Sequence, residues 1–334
     1  MRKLAALAGV SRTTISMALR NDPCIPESTR KAIVELAEKH GYVPDPVVST
    51  LMNQLRIRRG HRQVEKLAYL TWWPTAEGWL KTHNDYHYYQ GARARAKELG
   101  YEVEHFWAKE PRMSAARLSK ILKTRNIRGL IMAPLPHPRG HLKLEWDYFA
   151  AVMIALGNFR PDFSRVSHNH ISGMQLAIRR LRHKGYRRIG LCNLIGQTSW
   201  GNSGWHMAYL HFQESLPPRH RVPPLLLKEW DPKALGDWVE QHQVQAVLSN
   251  MQDPLFFLRD LGYRVPEDIG YASLDRLRPE DPWAGVDQIP EIVAASAVDI
   301  VTSLLQRHEY GIPTHSQTVT LEGVWREGPS LRYL

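Results

Sequence analysis

From Lys66 onward the chain alternates short apolar runs with amphipathic stretches, and that alternation leaves few architectures open to it. The runs Leu67–Trp72, Val103–Trp107, Gly129–Ala133, Ala151–Leu156, Ile189–Cys192, Leu225–Leu227, Ala246–Ser249 and Ile269–Leu274 read as buried strands. Between them, Tyr88–Leu99, Ala115–Lys123, Ser172–Lys184, Gly204–Ser215, Pro232–His242 and Ile292–His308 carry apolar residues at helical spacing. Strict alternation implies parallel sheets joined by helical crossovers. Glu98-Leu99-Gly100-Tyr101 and His183-Lys184-Gly185-Tyr186 repeat one join, a helix ending on glycine and feeding a strand. The length of this region predicts two such sheets, and therefore an α/β core of two lobes.

The residues before this region follow a different pattern. Leu4, Leu7 and Ala8 form one apolar stripe, and Ile15, Ala18 and Leu19 form a second that can face it across Gly9. Gly9 permits a tight turn, and Ser11 can cap the second helix through its hydroxyl. That is the spacing of a helix-turn-helix. A third helix is predicted from Glu27 to His40, buried through Ile33, Leu36 and Ala37 and stopped at Gly41. Off the stripe, Arg12, Thr13, Ser16 and Met17 are short or forked donors and one apolar group, types that suit base edges in a major groove. An ordinary three-helix cap is the alternative reading of the spacing alone.

Charge is concentrated in the same place. Residues 1–62 hold eleven lysines and arginines against five carboxylates, so +6 of the chain's formal +11 lies in its first 62 of 334 residues. A basic head on a nearly balanced body points to a polyanion partner, with a solvated basic surface as the other reading. The two cysteines, Cys24 and Cys192, have neither a disulfide framework nor metal spacing, as expected of thiols in a reducing cytoplasm. No run is long and apolar enough to suggest a membrane span or a signal peptide.

The words Leu7-Ala8-Gly9-Val10-Ser11, Thr14-Ile15-Ser16, Thr29-Arg30 and Gly41-Tyr42-Val43-Pro44-Asp45-Pro46 resemble the DNA-binding head of the LacI family of bacterial transcription regulators. The resemblance implies that Ser11, Arg12, Thr13 and Ser16 meet the operator from the recognition helix. It also implies that Thr14 and Thr29 hold phosphates and that Tyr42 stands at the end of the head against the backbone. Met17 occupies a place where the family usually has a base-reading arginine, and Arg20 one where asparagine is common. Met17 can touch a thymine methyl but cannot grip guanine bidentately; Arg12 or Arg20 is expected to supply that contact. Pro44 and Pro46 end the head. The stretch from Val47 to Leu55 resembles the family's hinge helix, in which Leu51 aligns with the leucine wedged into the minor groove. Relatives carry a threonine and basic residues before the first helix. Met1 already lies inside the pattern, so either that helix is uncapped or the natural start lies upstream.

The remainder resembles the family's periplasmic-binding-protein-like core of type I, through Val166-Ser167-His168-Asn169, Gly185-Tyr186-Arg187-Arg188-Ile189-Gly190, Val265-Pro266-Glu267-Asp268-Ile269-Gly270 and Val286-Asp287-Gln288. The expected organisation is a helix-turn-helix head at 1–43 and a hinge helix with linker at 44–62. The first lobe is then expected from 63–160 with 290–317, and the second from 161–289 with 318–334, the chain crossing between lobes near 160, 289 and 317. Such a core takes a small molecule at the carboxyl ends of its strands. The expected effector-binding residues are Trp72 and Trp73 in the loop after the first strand, Trp200, Asn250 and Asp275. Gly201 falls where relatives often place a ligand-gripping arginine, and His168 replaces a usual aspartate, so a sugar effector rests on the resemblance alone.

The chain is therefore expected to be a homodimeric, cytoplasmic, operator-binding repressor of carbohydrate-related genes under a small-molecule effector. A sugar-binding receptor without DNA regulation is the alternative, and it would call for an export signal and no basic head. No catalytic constellation, cofactor motif or metal spacing stands out, and His168-Asn169-His170 reads as two loop histidines. No enzymatic role is expected.

Overall fold

The structure is a computed structural model and describes residues 2–19, 25–40, 64–81, 83–136, 139–156, 158–195, 203–276 and 281–334. Three helices form the head: α1 (Arg2–Ala8), α2 (Arg12–Leu19) and α3 (Glu27–Lys39). Leu4, Ile15, Ala18, Ile33 and Ala37 are buried together between them. Gly9 turns the chain between α1 and α2 at φ +64°, a conformation that costs glycine little. Leu7 is 53% exposed, against expectation. The seam of α1 runs through Leu4, Ala5 and Ala8, one helical turn apart, and Leu7 lies beside it.

The core has two six-stranded sheets. In the first, β1 (Glu65–Thr71), β2 (Tyr101–Trp107), β3 (Gly129–Met132), β5 (Ala150–Ile154), β7 (Arg165–His168) and β13 (Thr318–Leu321) run parallel in the order β13-β7-β5-β3-β1-β2. A two-stranded ribbon, β4 (Arg139–His141) with β6 (Asn158–Arg160), lies outside it. Alternate residues cover opposite faces, as strand geometry requires. Leu67, Tyr69, Ile131, Val152 and Val166 pack beneath α4 (His83–Glu98) and α10 (Pro290–Arg307). Ala68, Leu70, Leu130, Met132 and Met153 pack on the other face against α5 (Ala115–Thr124).

The second sheet has the order β14-β12-β11-β10-β8-β9. Its strands are β8 (Ile189–Leu194), β9 (Leu225–Leu227), β10 (Ala246–Ser249), β11 (Gly270–Ser273), β12 (Ala284–Asp287) and the antiparallel edge strand β14 (Val324–Arg326). One face packs on α6 (His170–His183) and α7 (Ser203–Glu214) through Met174, Ala177, Leu181, Trp205 and Tyr209. The other packs on α8 (Pro232–His242) and α9 (Asp253–Asp260) through Leu235, Trp238, Leu255 and Leu258. All eight sequence-read strands are present to within a few residues; β12 and α9 do not stand out by periodicity.

Sheet membership moves the lobe crossings. Arg165–His168 bonds to β5, and Thr318–Leu321 bonds to Arg165–His168, so both belong to the first lobe rather than the second. The chain passes to the second lobe after His168, returns between β12 and α10, and passes again between β13 and β14. These points fall later than the expected 160 and 317, because a strand is assigned by its hydrogen-bonded neighbour and not by the composition of the loop before it. His168 correspondingly ends a strand and is only 1% exposed, and His170 opens α6, so neither is a loop histidine. Cys192 is a buried thiol, pushed up to about 12 by its burial. No helix among the described residues is long and apolar enough to cross a membrane.

The two helices on the first lobe meet at Gly91, where an added Cβ would lie 2.3 Å from the backbone oxygen of Glu291. Backbone cannot yield as a flexible side chain can. Gly91→Ala is expected to cost about 1–3 kcal/mol of stability, read as a lower urea midpoint at unchanged m-value.

Candidate DNA-binding surface and effector cleft

The amino end of α2 is built by Ser11. Its Oγ accepts from the Thr14 amide at 3.0 Å and lies 2.9 Å from Thr14 Oγ1, so the cap also fixes the threonine rotamer. Ser11 is exposed, while Thr14, Met17 and Thr29 are half-buried. Arg12, Thr13 and Ser16 fall within α2. Arg20, Tyr42 and Leu51, like the whole hinge, lie outside the described residues. Glu27 and Lys31 pair at 2.8 Å across one turn of α3, an exposed contact that does little for stability.

The expected effector site is at the carboxyl ends of the parallel strands of the two sheets. Asp275 lies two residues beyond the end of β11, and both of its carboxylate oxygens accept from Asn84 Nδ2 at 3.0 Å. Asn84 stands in the first turn of α4 in the first lobe, so this contact joins one lobe to the other. Burial pushes Asp275 up to about 6, against the pull of the Asn84 bond and with the charge of Asp287 adding to the rise. Asp287 is itself held by Arg326, whose Nη2 donates to it at 3.0 Å. Asn250 follows β10. Its backbone amide and the Ser249 hydroxyl both donate to Asn193 Oδ1, each at 3.1 Å, which fixes that strand end.

The tryptophans divide. Trp72 is 6% exposed and packs edge-on against Phe159, with ring centres 5.4 Å apart, in the same face as Ala68 and Leu70. Its alternation along β1 therefore places it in the lobe core rather than in the effector-binding role expected for it. Trp73, one residue on, is half-buried, and its Nε1 donates to Asp85 Oδ2 at 3.0 Å. Its carbonyl accepts from Trp107 Nε1 at 2.8 Å. Trp200 lies outside the described residues. Trp79 is buried among Tyr69, Tyr89 and His105.

Sequence reasoning misses three polar residues. Asn84 and Asp85 open α4, and Gln288 is buried with its Nε2 donating to the Leu274 carbonyl at 3.3 Å. The signal for the first two is the polar run His83-Asn84-Asp85 at the start of a crossover helix, which a parallel sheet aims at its carboxyl end. Among the described residues no group of three or more His, Cys, Asp or Glu is placed to hold a metal ion.

Asp85 is 4% exposed, and burial pushes its carboxyl up to about 7, partly offset by the Trp73 hydrogen bond. A free aspartate loses its proton near pH ~4, so between about pH 4 and 7 the folded chain holds a proton that the unfolded chain does not. The stability contributed by this protonated group is complete below about pH 4 and is lost as pH rises through about 7. Asp85→Asn keeps an acceptor for Trp73 and removes the titration. Its urea midpoint at pH 8 is expected to exceed the parent's, by on the order of 2 kcal/mol of stability, with little difference at pH 4.

Residues 1–45 match the family model described as bacterial regulatory proteins, lacI family. The HTH-type transcriptional regulator TreR of Escherichia coli is 22% identical over 237 residues, 69% of this chain and 68% of TreR. A protein of Bacillus subtilis described as the probable HTH-type transcriptional repressor ExuR is 46% identical over 54 residues, 16% of each chain. Among solved structures, the complex of the transcriptional regulator CelR with cellobiose superposes with a TM-score of 0.56 at 19% identity, covering 98% of both chains. The lac repressor dimer bound to operator and the anti-inducer ONPF gives 0.54 at 18% identity, again over 98% of both. The first 45 residues are therefore similar to the DNA-binding head of the LacI family of bacterial transcriptional regulators, and the core shares its fold with CelR and the lac repressor.

Proposed function

We propose that the protein is a homodimeric repressor that binds a near-palindromic operator and is controlled by a carbohydrate in the cleft of its core. It works in the cytoplasm, on chromosomal DNA. The observation that carries the effector half of this reading is the Asn84–Asp275 bridge. It links the lobes at the carboxyl ends of the strands, where a ligand hydroxyl can replace either partner. A ligand that makes this exchange differs in affinity between lobe arrangements, and only such a difference shifts a population. The cellobiose in the CelR complex supports a sugar as the class of ligand.

The DNA-binding half assigns Ser11, Arg12, Thr13, Ser16 and Met17 to base edges, with Arg12 or Arg20 as the guanine reader. Thr14 and Thr29 are assigned to phosphates, Tyr42 to the backbone at the end of the head, and Leu51 to the minor groove. Within the cleft, Asp275, Asn250 and Trp73 are the effector contacts, joined by Asn84; Trp200 stands as a further candidate. Two hinge-linked heads in adjacent major grooves follow from the dimer.

The test is a footprint on DNA upstream of the protein's own gene, repeated with a panel of neutral disaccharides. Protection of one site, relieved or strengthened by one sugar, is expected. Asn84→Ala and Asp275→Ala are expected to keep the footprint and lose the sugar response. A protein that protects no site in dilute buffer, with or without sugars, refutes the reading. In a binding-site selection, Arg12→Ala is expected to relax preference at one base pair in each half-site, a loss of about 1–3 kcal/mol there. An unchanged selection profile removes Arg12 from the base contacts.

A further inference from the structure

The second lobe is nearly neutral overall, but its charges are separated. Residues 170–221 hold eight arginines and lysines against one carboxylate, Glu214, while residues 222–289 hold six against twelve. The fold gathers much of the positive half at one pole. Arg182 lies in the last turn of α6, Arg187 and Arg188 lie in the turn that feeds β8, and Arg219 and Arg221 follow α7. Arg188 Nη2 donates to the Arg219 carbonyl at 2.8 Å, which ties the two segments together. Arg219 Nε donates to His220 Nε2 at 3.3 Å. After burial, the charges of Arg219, Arg187, Arg188 and Arg182 all lower the His220 pKa, so these arginines act on one point.

The cluster keeps its charge. Among the described residues no carboxylate forms an ion pair with Arg182, Arg187, Arg188, Arg219 or Arg221. Arg221 spends its guanidinium on the carbonyls of Leu216 and Glu214, at 2.8 and 3.0 Å. Arg182, Arg187 and Arg219 are exposed. All of this lies at the amino ends of the strands of the second sheet, whereas Asp275 and Asn250 follow the carboxyl ends. The pole is therefore opposite the effector cleft and plays no part in ligand contact.

We infer that this arginine pole is a second, sequence-independent contact for duplex DNA, binding the phosphates of a segment other than the operator. Exposed guanidiniums without a carboxylate partner, on two adjoining loops, match the forked geometry of phosphate recognition. A protein seated on an operator meets other segments of the same molecule at high effective concentration, and that favours DNA over a free acidic protein as the occupant. The consequence is bridging: one bound repressor holds two stretches of duplex. This rests on the reading of the head as an operator binder only for the first of the two duplexes.

The experiment uses the full chain saturated with an unlabelled operator duplex, to which a labelled duplex of unrelated sequence is added. Capture of the second duplex in a ternary complex is expected, weakening steeply with salt. The triple variant Arg182→Gln, Arg187→Gln, Arg219→Gln is expected to weaken capture about tenfold or more and to lower the log–log salt slope by about 0.9 for each phosphate no longer neutralised. Its operator footprint is expected to stay unchanged. A control removing equal charge elsewhere on the lobe, Lys228→Gln, Lys233→Gln, Arg259→Gln, is expected to capture as the parent does. The inference is overturned by absence of capture, by equal weakening in the control, or by a polyglutamate peptide outcompeting the duplex at equal charge, which would mark an acidic protein site. The same two variants are compared on unrelated duplex without operator, where only the first should lower the salt slope. That arm decides the pole independently of whether an operator is ever found.

Discussion

Three passages of chain between two rigid sheets converge on one side chain, and the shape of the cleft depends on them. His168 opens the first crossing, is almost wholly buried, and has no hydrogen-bond partner on either ring nitrogen among the described residues. It lies against Gly173 at the start of the second lobe and Gly323 in the third crossing. A Cβ at those glycines would come within 2.8 Å of His168 Cε1 and 2.5 Å of Nε2. Either added carbon would also approach Val286, on the strand that leads into the second crossing. Burial, with the neighbouring His170 adding to it, drives the imidazole down to about 3, so it is neutral at physiological pH and packs as a small aromatic. Any rotation of one lobe on the other is a torsion about these three short segments, and the glycines are what let them lie this close.

The cleft above this pivot is held together by polar groups that the fold keeps away from water. Asp275 and Asp85 are both raised towards neutrality by burial, and each is satisfied by a donor from a different element, Asn84 or Trp73. A buried carboxyl of this kind is costly when unpaired and cheap when paired. On the proposed reading, exchange of the Asn84 donor for a ligand hydroxyl would conserve most of the local energy while breaking the tie between lobes. That is a physical route from ligand binding to lobe angle that needs no long chain of intermediates.

How far the sequence can be read depends on whether the determining contacts are local. The head is legible because its turn, cap and seam are fixed by residues within one or two helical turns: Gly9, Ser11, Ile15 and Ala18. Leu7 escapes because two seams one residue apart look alike in a short helix. Trp72 and Trp73 are neighbours with opposite fates, and only the phase of β1 against its two covering layers separates core from cleft. The arginine pole is legible as an excess of charge but not as a cluster, since Arg188 and Arg219 are joined by a fold-dependent bond between distant segments.

The sequence by itself determined the alternation of strands and helices, the helix-turn-helix and the concentration of charge in the head, because periodicity and turn chemistry act over a few residues. Only the tertiary structure decided which sheet receives Arg165–His168 and Thr318–Leu321, and that Asn84 meets Asp275 across 191 positions. Strand partnership and a contact between lobes depend on how the whole chain closes on itself, and no local pattern encodes that closure.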